Sequence, residues 1–158
     1  MAQGIDPIHQ FIVTPLAQIS IGGVDASFTN ASLFMVIVLL AVTFLMIVGT
    51  AQKSLVPGRL QAAAEMSYEF VASTVRGTTG TEGMKFFPLV FSLFMFVLFS
   101  NLIGLIPFTF TVTSQIVVTF ALAALVILTV IIYGIARHGT HFLHLFVPSG
   151  VAPALLPF

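Results

Sequence analysis

The sequence predicts an all-α polytopic membrane protein, with three transmembrane helices and an amphipathic interfacial helix on the cytoplasmic side. Three observations lead there. Of 158 residues, 58% are hydrophobic and only 6% charged, whereas a soluble domain carries about a quarter charged residues; the charge is too sparse to dress a water-facing surface. Three long stretches hold no Asp, Glu, Lys, Arg or His. All five basic residues fall on one side of the membrane once those stretches are threaded through it. The same composition argues against a soluble enzyme, a disordered segment and, at net charge 0, a nucleic-acid binder. With no Cys there is no disulfide framework, thiolate metal site or cysteine nucleophile.

Residues 1–30 contain no Lys or Arg, so the positive n-region of a signal peptide is missing, and the stretch is expected to be an external tail. A membrane-crossing helix needs about 20 apolar residues, because about 30 Å must be covered at about 1.5 Å per residue. The first such run is 31–51, entered through the N-capping pair Thr29-Asn30. Its length exceeds that of a signal-peptide h-region, and it is expected to stay in the membrane. The second is 86–106, with Pro88 in its first turn, where a missing N–H costs little, and Pro107 closing it. The third, 116–136, is rich in β-branched residues.

Between the first two spans, Pro57-Gly58 punctuates the chain and an amphipathic helix is expected over 57–79. On a helical wheel Gln61, Glu65, Glu69 and Arg76 fall within about 80° of one another, and Leu60, Ala63, Ala64, Phe70, Val71 and Val75 gather opposite. Two carboxylates in mid-helix are costly at the centre of a bilayer. The helix is therefore expected to lie along the membrane surface, apolar side down. It is either a tether between spans, which amphipathicity alone explains, or a partner-docking face contacted through Glu65, Glu69 and Arg76. Gly77 to Gly83 is expected to end it as a flexible turn.

Lys53, Arg59, Arg76 and Lys85 lie between spans one and two, and Arg137 follows span three. The positive-inside rule makes that face cytoplasmic and the N-terminus external. Residues 137–158 are apolar but broken by Pro148, Pro153 and Pro157, which suits a cytoplasmic-side interfacial segment better than a fourth span.

Polar groups at membrane depth are the usual functional markers. Here they are Ser, Thr, Asn and Tyr. Asn101, near the outer end of span two, either bonds across to span three, with Thr119 as a partner, or lines a water-accessible path. Ser100 and Gly104 beside it form a small-x-x-x-small pair that permits close helix approach. The connection 107–115 carries Thr109, Thr111, Ser114 and Gln115; it sits in the outer headgroup layer, the preferred reading on sequence grounds, or folds back to line a vestibule. His138, His141 and His144 recur every three residues, a spacing that drifts round a helix with no carboxylate or thiolate near, so no metal site is expected. No span contains a haem-ligating His, and no phosphate-binding loop or nucleophile–base pair is present; no cofactor and no catalytic residue is predicted.

Several stretches together resemble the a subunits of F-type ATP synthases, the membrane stators of the proton channel: VPGRLQAAAEMSYEFV (56–71), EGMKFFPLVFSLFMFVLFSNLIGLIPFTFTVTSQIVVTFALA (82–123) and RHGTHFLHLFVPSG (137–150). The run from Asn101 to Pro107 leading into Phe-Thr-Phe-Thr-Val-Thr-Ser is the most specific, and is similar to the alphaproteobacterial and mitochondrial branch. The resemblance implies a stator role in proton-driven ATP synthesis, with a c-ring and peripheral-stalk b subunits as partners. The implied location is a bacterial inner membrane in preference to the mitochondrial one. It also implies an essential arginine facing the c-ring carboxylate. Members of the family carry that arginine on two long tilted helices beyond the part that matches here. Arg59, Arg76 and Arg137 lie outside the spans, and none occupies its position. The chain is accordingly expected to be an N-terminal portion. Asn101, Thr109, Thr111, Ser114 and Gln115 are the residues carried over as a possible external half-channel wall. A non-conducting membrane anchor or assembly protein, and a fragment of another secondary transporter, are the alternatives. The second is disfavoured because no span is broken at its middle by Gly or Pro.

Overall fold

Hydrogen-bond economy decides which of these segments become helices. In hydrocarbon every backbone N–H and C=O must be satisfied within the segment itself, and a helix does this. The computed structural model describes residues 12–18, 20–21, 24–25, 27–51, 57–107, 109–139 and 142. Among them three helices are long and apolar enough to cross a membrane: Asn30–Ala51, Thr81–Gly104 (its first turns 3-10) and Ile116–His138. The chain divides into two units, Met1–Gln115 and Ile116–Phe158.

In the first unit, the stretch expected as a tail carries two short antiparallel ladders. Strand β1 (Pro15–Ala17) pairs with β4 (Phe28–Thr29), and β2 (Ser20–Ile21) with β3 (Val24–Asp25). Helix α1 (Asn30–Ala51) follows. Its cap is Thr29, whose Oγ1 accepts the Ser32 N–H at 3.3 Å, satisfying one orphan donor of the first turn. Leu40, Phe44 and Ile47 remain exposed, as a lipid-facing surface requires.

Helix α2 spans Arg59–Thr79, so the first three residues of the expected Gly77–Gly83 turn are helical. The hydroxyls of Thr74, Thr78 and Thr79 donate back to the carbonyls of Phe70, Thr74 and Val75, each at 2.8 Å. The helix stops at Gly80, whose φ of 68° suits a residue without Cβ and whose N–H donates to Arg76 O at 3.0 Å. The following residues, expected as turn through Gly83, instead open a 3-10 helix, Thr81–Phe86, bridged by Lys85 Nζ and Glu82 Oε2 at 2.8 Å.

Helix α3 (Phe87–Gly104) ends two residues before the expected boundary at Ile106. Pro107 cannot supply the N–H that Ile103 O would receive in a continuing helix. Ile103 O accepts the Ile106 N–H at 3.0 Å in a tightened last turn, and the Thr109 hydroxyl lies within hydrogen-bond distance of both Ile103 O, at 2.6 Å, and Ile106 O, at 2.7 Å. The chain turns there.

Among the described residues of this unit the buried side chains are mostly small, with Met95 and Phe110 the large ones: Ala31 and Val38 on α1, Ala64, Val71, Ala72 and Val75 on α2, Met95 and Ser100 on α3, then Phe110 and Val112. Helix α1 packs against both α2 and α3. At Gly49 the approach is so close that an added Cβ would stand 2.8 Å from the Ala64 Cβ. Helices α2 and α3 meet through rings, Tyr68 on Phe87 with centroids 4.8 Å apart and Phe70 on Phe94 at 5.5 Å. Much of the α2 face expected to rest on lipid is therefore occupied by α1 and α3. Ala64 is small enough to admit a neighbouring backbone, and the aromatic rings interlock. Leu60 and Phe70 stay largely exposed.

In the second unit, α4 (Ile116–His138) carries Arg137 and His138 in its last turn, complementing the negative end of the helix dipole. The ring of Phe142 covers Gly134, where an added Cβ would overlap it. Gly139, with φ of 59°, makes the intervening reversal.

Candidate functional site

No Asp, Glu, Lys, Arg or His lies within 31–51, 86–106 or 116–136. Four of the hydroxyls there turn inward on their own helices: Thr50 donates to Met46 O at 2.6 Å, Ser92 to Pro88 O at 2.7 Å, Thr129 to Leu125 O at 2.7 Å and Thr119 to Ile116 O at 3.1 Å. A hydroxyl bonded this way presents little polarity to lipid.

The exception is the C-terminal end of α3. Asn101 Oδ1 accepts the Thr113 hydroxyl at 2.9 Å. The partner expected for Asn101 is on span three; the bond instead ties α3 to the connection that follows it. That connection folds back. Phe110 and Val112 are 3% and 1% exposed, and the Phe110 ring stands 6.2 Å from that of Phe34 on α1. Burying two apolar side chains of a Phe-Thr-Phe-Thr-Val run draws the alternating threonines onto the other face of the same segment. The connection, for which the headgroup layer is the preferred reading, packs on α1 and α3.

Of the residues expected to form a polar wall, Thr109 spends its hydroxyl on the end of α3 as described. Thr111 packs on Gly104, where an added Cβ would lie 2.9 Å from its Oγ1. Ser114 donates to Thr111 O at 2.7 Å, and the Gln115 N–H donates to Val112 O at 3.2 Å. Asn101 and Ser114 are exposed, with Thr109, Thr111 and Gln115 half-buried. Thr113 is absent from the expected set although it continues the every-second-residue spacing of Thr109 and Thr111; that alternation is the signal that could have found it. Ser100, one turn inside, is 1% exposed, and its Oγ has no hydrogen-bond partner in the protein.

The second candidate set lies on α2. Glu65, Glu69 and Arg76 are all exposed, and Gln61 Nε2 donates to Glu65 Oε1 at 2.8 Å. They form a charged strip alongside the packed face, as the spacing predicts. His138 is exposed at the end of α4; His141 and His144 lie outside the described residues. Among the described residues no group of three or more His, Cys, Asp or Glu side chains is placed to hold a metal ion. Chemically, the α3 end offers hydrogen-bonding oxygens and an amide that can solvate a passing ion or water but cannot exchange a proton near neutral pH.

Over residues 32–158 the chain matches the protein family described as ATP synthase A chain. It is similar to "ATP synthase subunit a" of Xanthobacter autotrophicus, 61% identical over 155 residues, which take in 98% of the chain and 62% of that relative. The protein of the same name from Beijerinckia indica is 58% identical over 154 residues, covering 98% and 61%. That of Agrobacterium fabrum is 60% identical over 152 residues, covering 96% and 61%. The chain spans about three fifths of the length of these curated relatives.

Proposed function

The chain belongs to the ATP synthase A chain family, and from that membership we propose that it contributes the outer part of a membrane stator through which proton flow drives ATP synthesis. The observation that carries this reading is about 60% identity, along nearly the whole chain, to proteins named ATP synthase subunit a. The subunit itself is non-catalytic. Its proposed partners are the c-ring, whose rotation carries the protons, and the b subunits of a peripheral stalk, for which Glu65, Glu69 and Arg76 are a charged docking strip. Asn101 with Thr109, Thr111, Ser114 and Gln115 is the proposed wall of the external half-channel. A neutral wall is suited to this, because hydrogen-bonding groups lower the cost of a water file at depth while the absence of fixed charge avoids trapping the ion. The titrating groups belong to the c-ring and to residues other than those here. The proposed setting is the bacterial inner membrane, N-terminus outside, which the one-sided distribution of five basic residues favours.

Affinity purification of the full-length protein from mildly solubilised membranes tests the assignment. It should bring down the c-ring, the b subunits and a soluble ATPase head. Proton pumping by inverted vesicles should stop on treatment with dicyclohexylcarbodiimide. Recovery without any c subunit would refute the stator reading.

A further inference from the structure

Asn30 commits both ends of its side-chain amide to holding residues 12–29 against the start of α1. Its Nδ2 donates to Ile12 O at 2.9 Å, and its Oδ1 accepts the N–H groups of Thr14 at 3.1 Å and Ala31 at 2.9 Å. The backbone adds Asn30 N–H to Thr14 O at 3.1 Å, and the β1–β4 ladder closes on Thr29, one residue away. The strand structure is thereby fixed where α1 begins its passage through the bilayer.

Its exposed surface is uncharged among the described side chains and largely apolar, with Thr14, Gln18 and Ser20 as its polar members. Ile12 is 47% exposed, Val13 43%, Leu16 55% and Phe28 37%. Residues 12–29 include no Lys, Arg or Glu and only one Asp. Two-stranded ladders are marginal in water on their own, and their unpaired edge groups are not tolerated in hydrocarbon. The headgroup layer meets both conditions, since it hydrates edge N–H and C=O groups while accepting apolar side chains. The exposed apolar surface continues without a charged break into Leu33, Val36 and Ile37 of α1, which face lipid in a membrane-spanning helix.

We propose that the 12–29 strand structure is a membrane-interface element, seated in the headgroup layer of the leaflet where α1 begins, with Ile12, Val13, Leu16 and Phe28 against neutral phospholipid. Lacking basic residues, it needs no anionic lipid. The inference requires only that α1 cross the membrane and does not depend on the stator role.

Nitroxide labels at Val13→Cys and Leu16→Cys, in the full-length protein in phosphatidylcholine nanodiscs, test it; the 158 residues hold no native cysteine to compete. Leu40→Cys on α1 and Glu82→Cys serve as lipid and water references. At both strand positions, collision with a water-soluble nickel chelate should be several-fold below that at 82. Collision with oxygen should lie between that at 82 and that at 40. Adding phosphatidylglycerol should change neither. Nickel access equal to that at 82 places the strands in water and overturns the proposal. Low access to both reagents means a protein cover and overturns it equally. Depth seen only with anionic lipid overturns the neutral-lipid form. In the unsubstituted protein, a phosphatidylcholine bearing a headgroup-proximal diazirine should leave adducts within 12–17; adducts on α1 alone would also refute it.

Discussion

At the scale of single residues, the end of α3 shows how a few polar atoms gather where backbone bonding stops. Where Pro107 ends the ladder, Thr109 adds its hydroxyl to the carbonyls of Ile103 and Ile106, the first of which also accepts the Ile106 N–H. Thr109→Val should therefore lower stability by about 1 kcal/mol, the usual net worth of a hydrogen bond, while Thr109→Ser keeps the hydroxyl and should cost distinctly less. Thermal unfolding of the detergent-solubilised protein separates the two, and equal losses would dismiss the hydroxyl's role. The Asn101–Thr113 pair is predicted to couple by about 0.6 kcal/mol in a double-mutant cycle, typical of polar pairs between membrane helices. Ser100 behaves oppositely. Its buried Oγ lacks a protein partner, and a buried unpaired hydroxyl costs about 1–3 kcal/mol. Ser100→Ala should leave the unfolding midpoint unchanged or raise it, and a clear drop would mean that the hydroxyl is satisfied. Asn101 is legible in the sequence as the most polar group at depth. Its partner Thr113 is not, because twelve residues of chain have to fold back to bring the two together.

At the scale of elements, the spans are legible because length and neutrality leave no alternative: a run of about 20 uncharged apolar residues has few other places to be. Their ends are less so. Proline marks where α3 must stop, but which carbonyl a threonine captures depends on the return of the connection. Helix α2 ends at Thr79, closed by Gly80, which, rather than Gly77, takes the positive φ. The partner of its apolar face is illegible for a different reason. Periodicity identifies that a face is apolar and is silent on whether lipid or protein covers it. The Gly49–Ala64 approach turns this into a prediction. Gly49→Val inserts a branched side chain where even a Cβ meets Ala64 at 2.8 Å and the Leu60 carbonyl oxygen at 3.0 Å. Overpacking of this kind costs about 1–3 kcal/mol. The readout is the unfolding midpoint of Gly49→Val against Gly49→Ala, with the larger drop for valine. If valine is tolerated as well as alanine, α1 and α2 do not meet at this point.

At the scale of the whole molecule, what matters is where charge is absent. All ten Lys, Arg, Asp and Glu residues lie outside 31–51, 86–106 and 116–136, so no side chain of these segments can take up or release a proton near neutral pH. A relay through hydrocarbon needs titratable groups or a continuous water path. The hydroxyls of Thr50, Ser92, Thr119 and Thr129 are bonded to carbonyls of their own helices, which supports neither. This 158-residue chain, reconstituted alone into liposomes carrying a pH gradient, should dissipate that gradient no faster than empty vesicles do. The comparison that gives the result its meaning is the full-length protein with the proposed c-ring partner, where flux should appear and be abolished by dicyclohexylcarbodiimide. If the chain alone conducts, its walls enclose a water path sufficient by themselves, and the polar cluster at the end of α3 has to be treated as a channel instead of one side of one. If only the assembled preparation conducts, the division of labour is electrostatic: neutral helices confine the path, and partners supply the charge that moves along it.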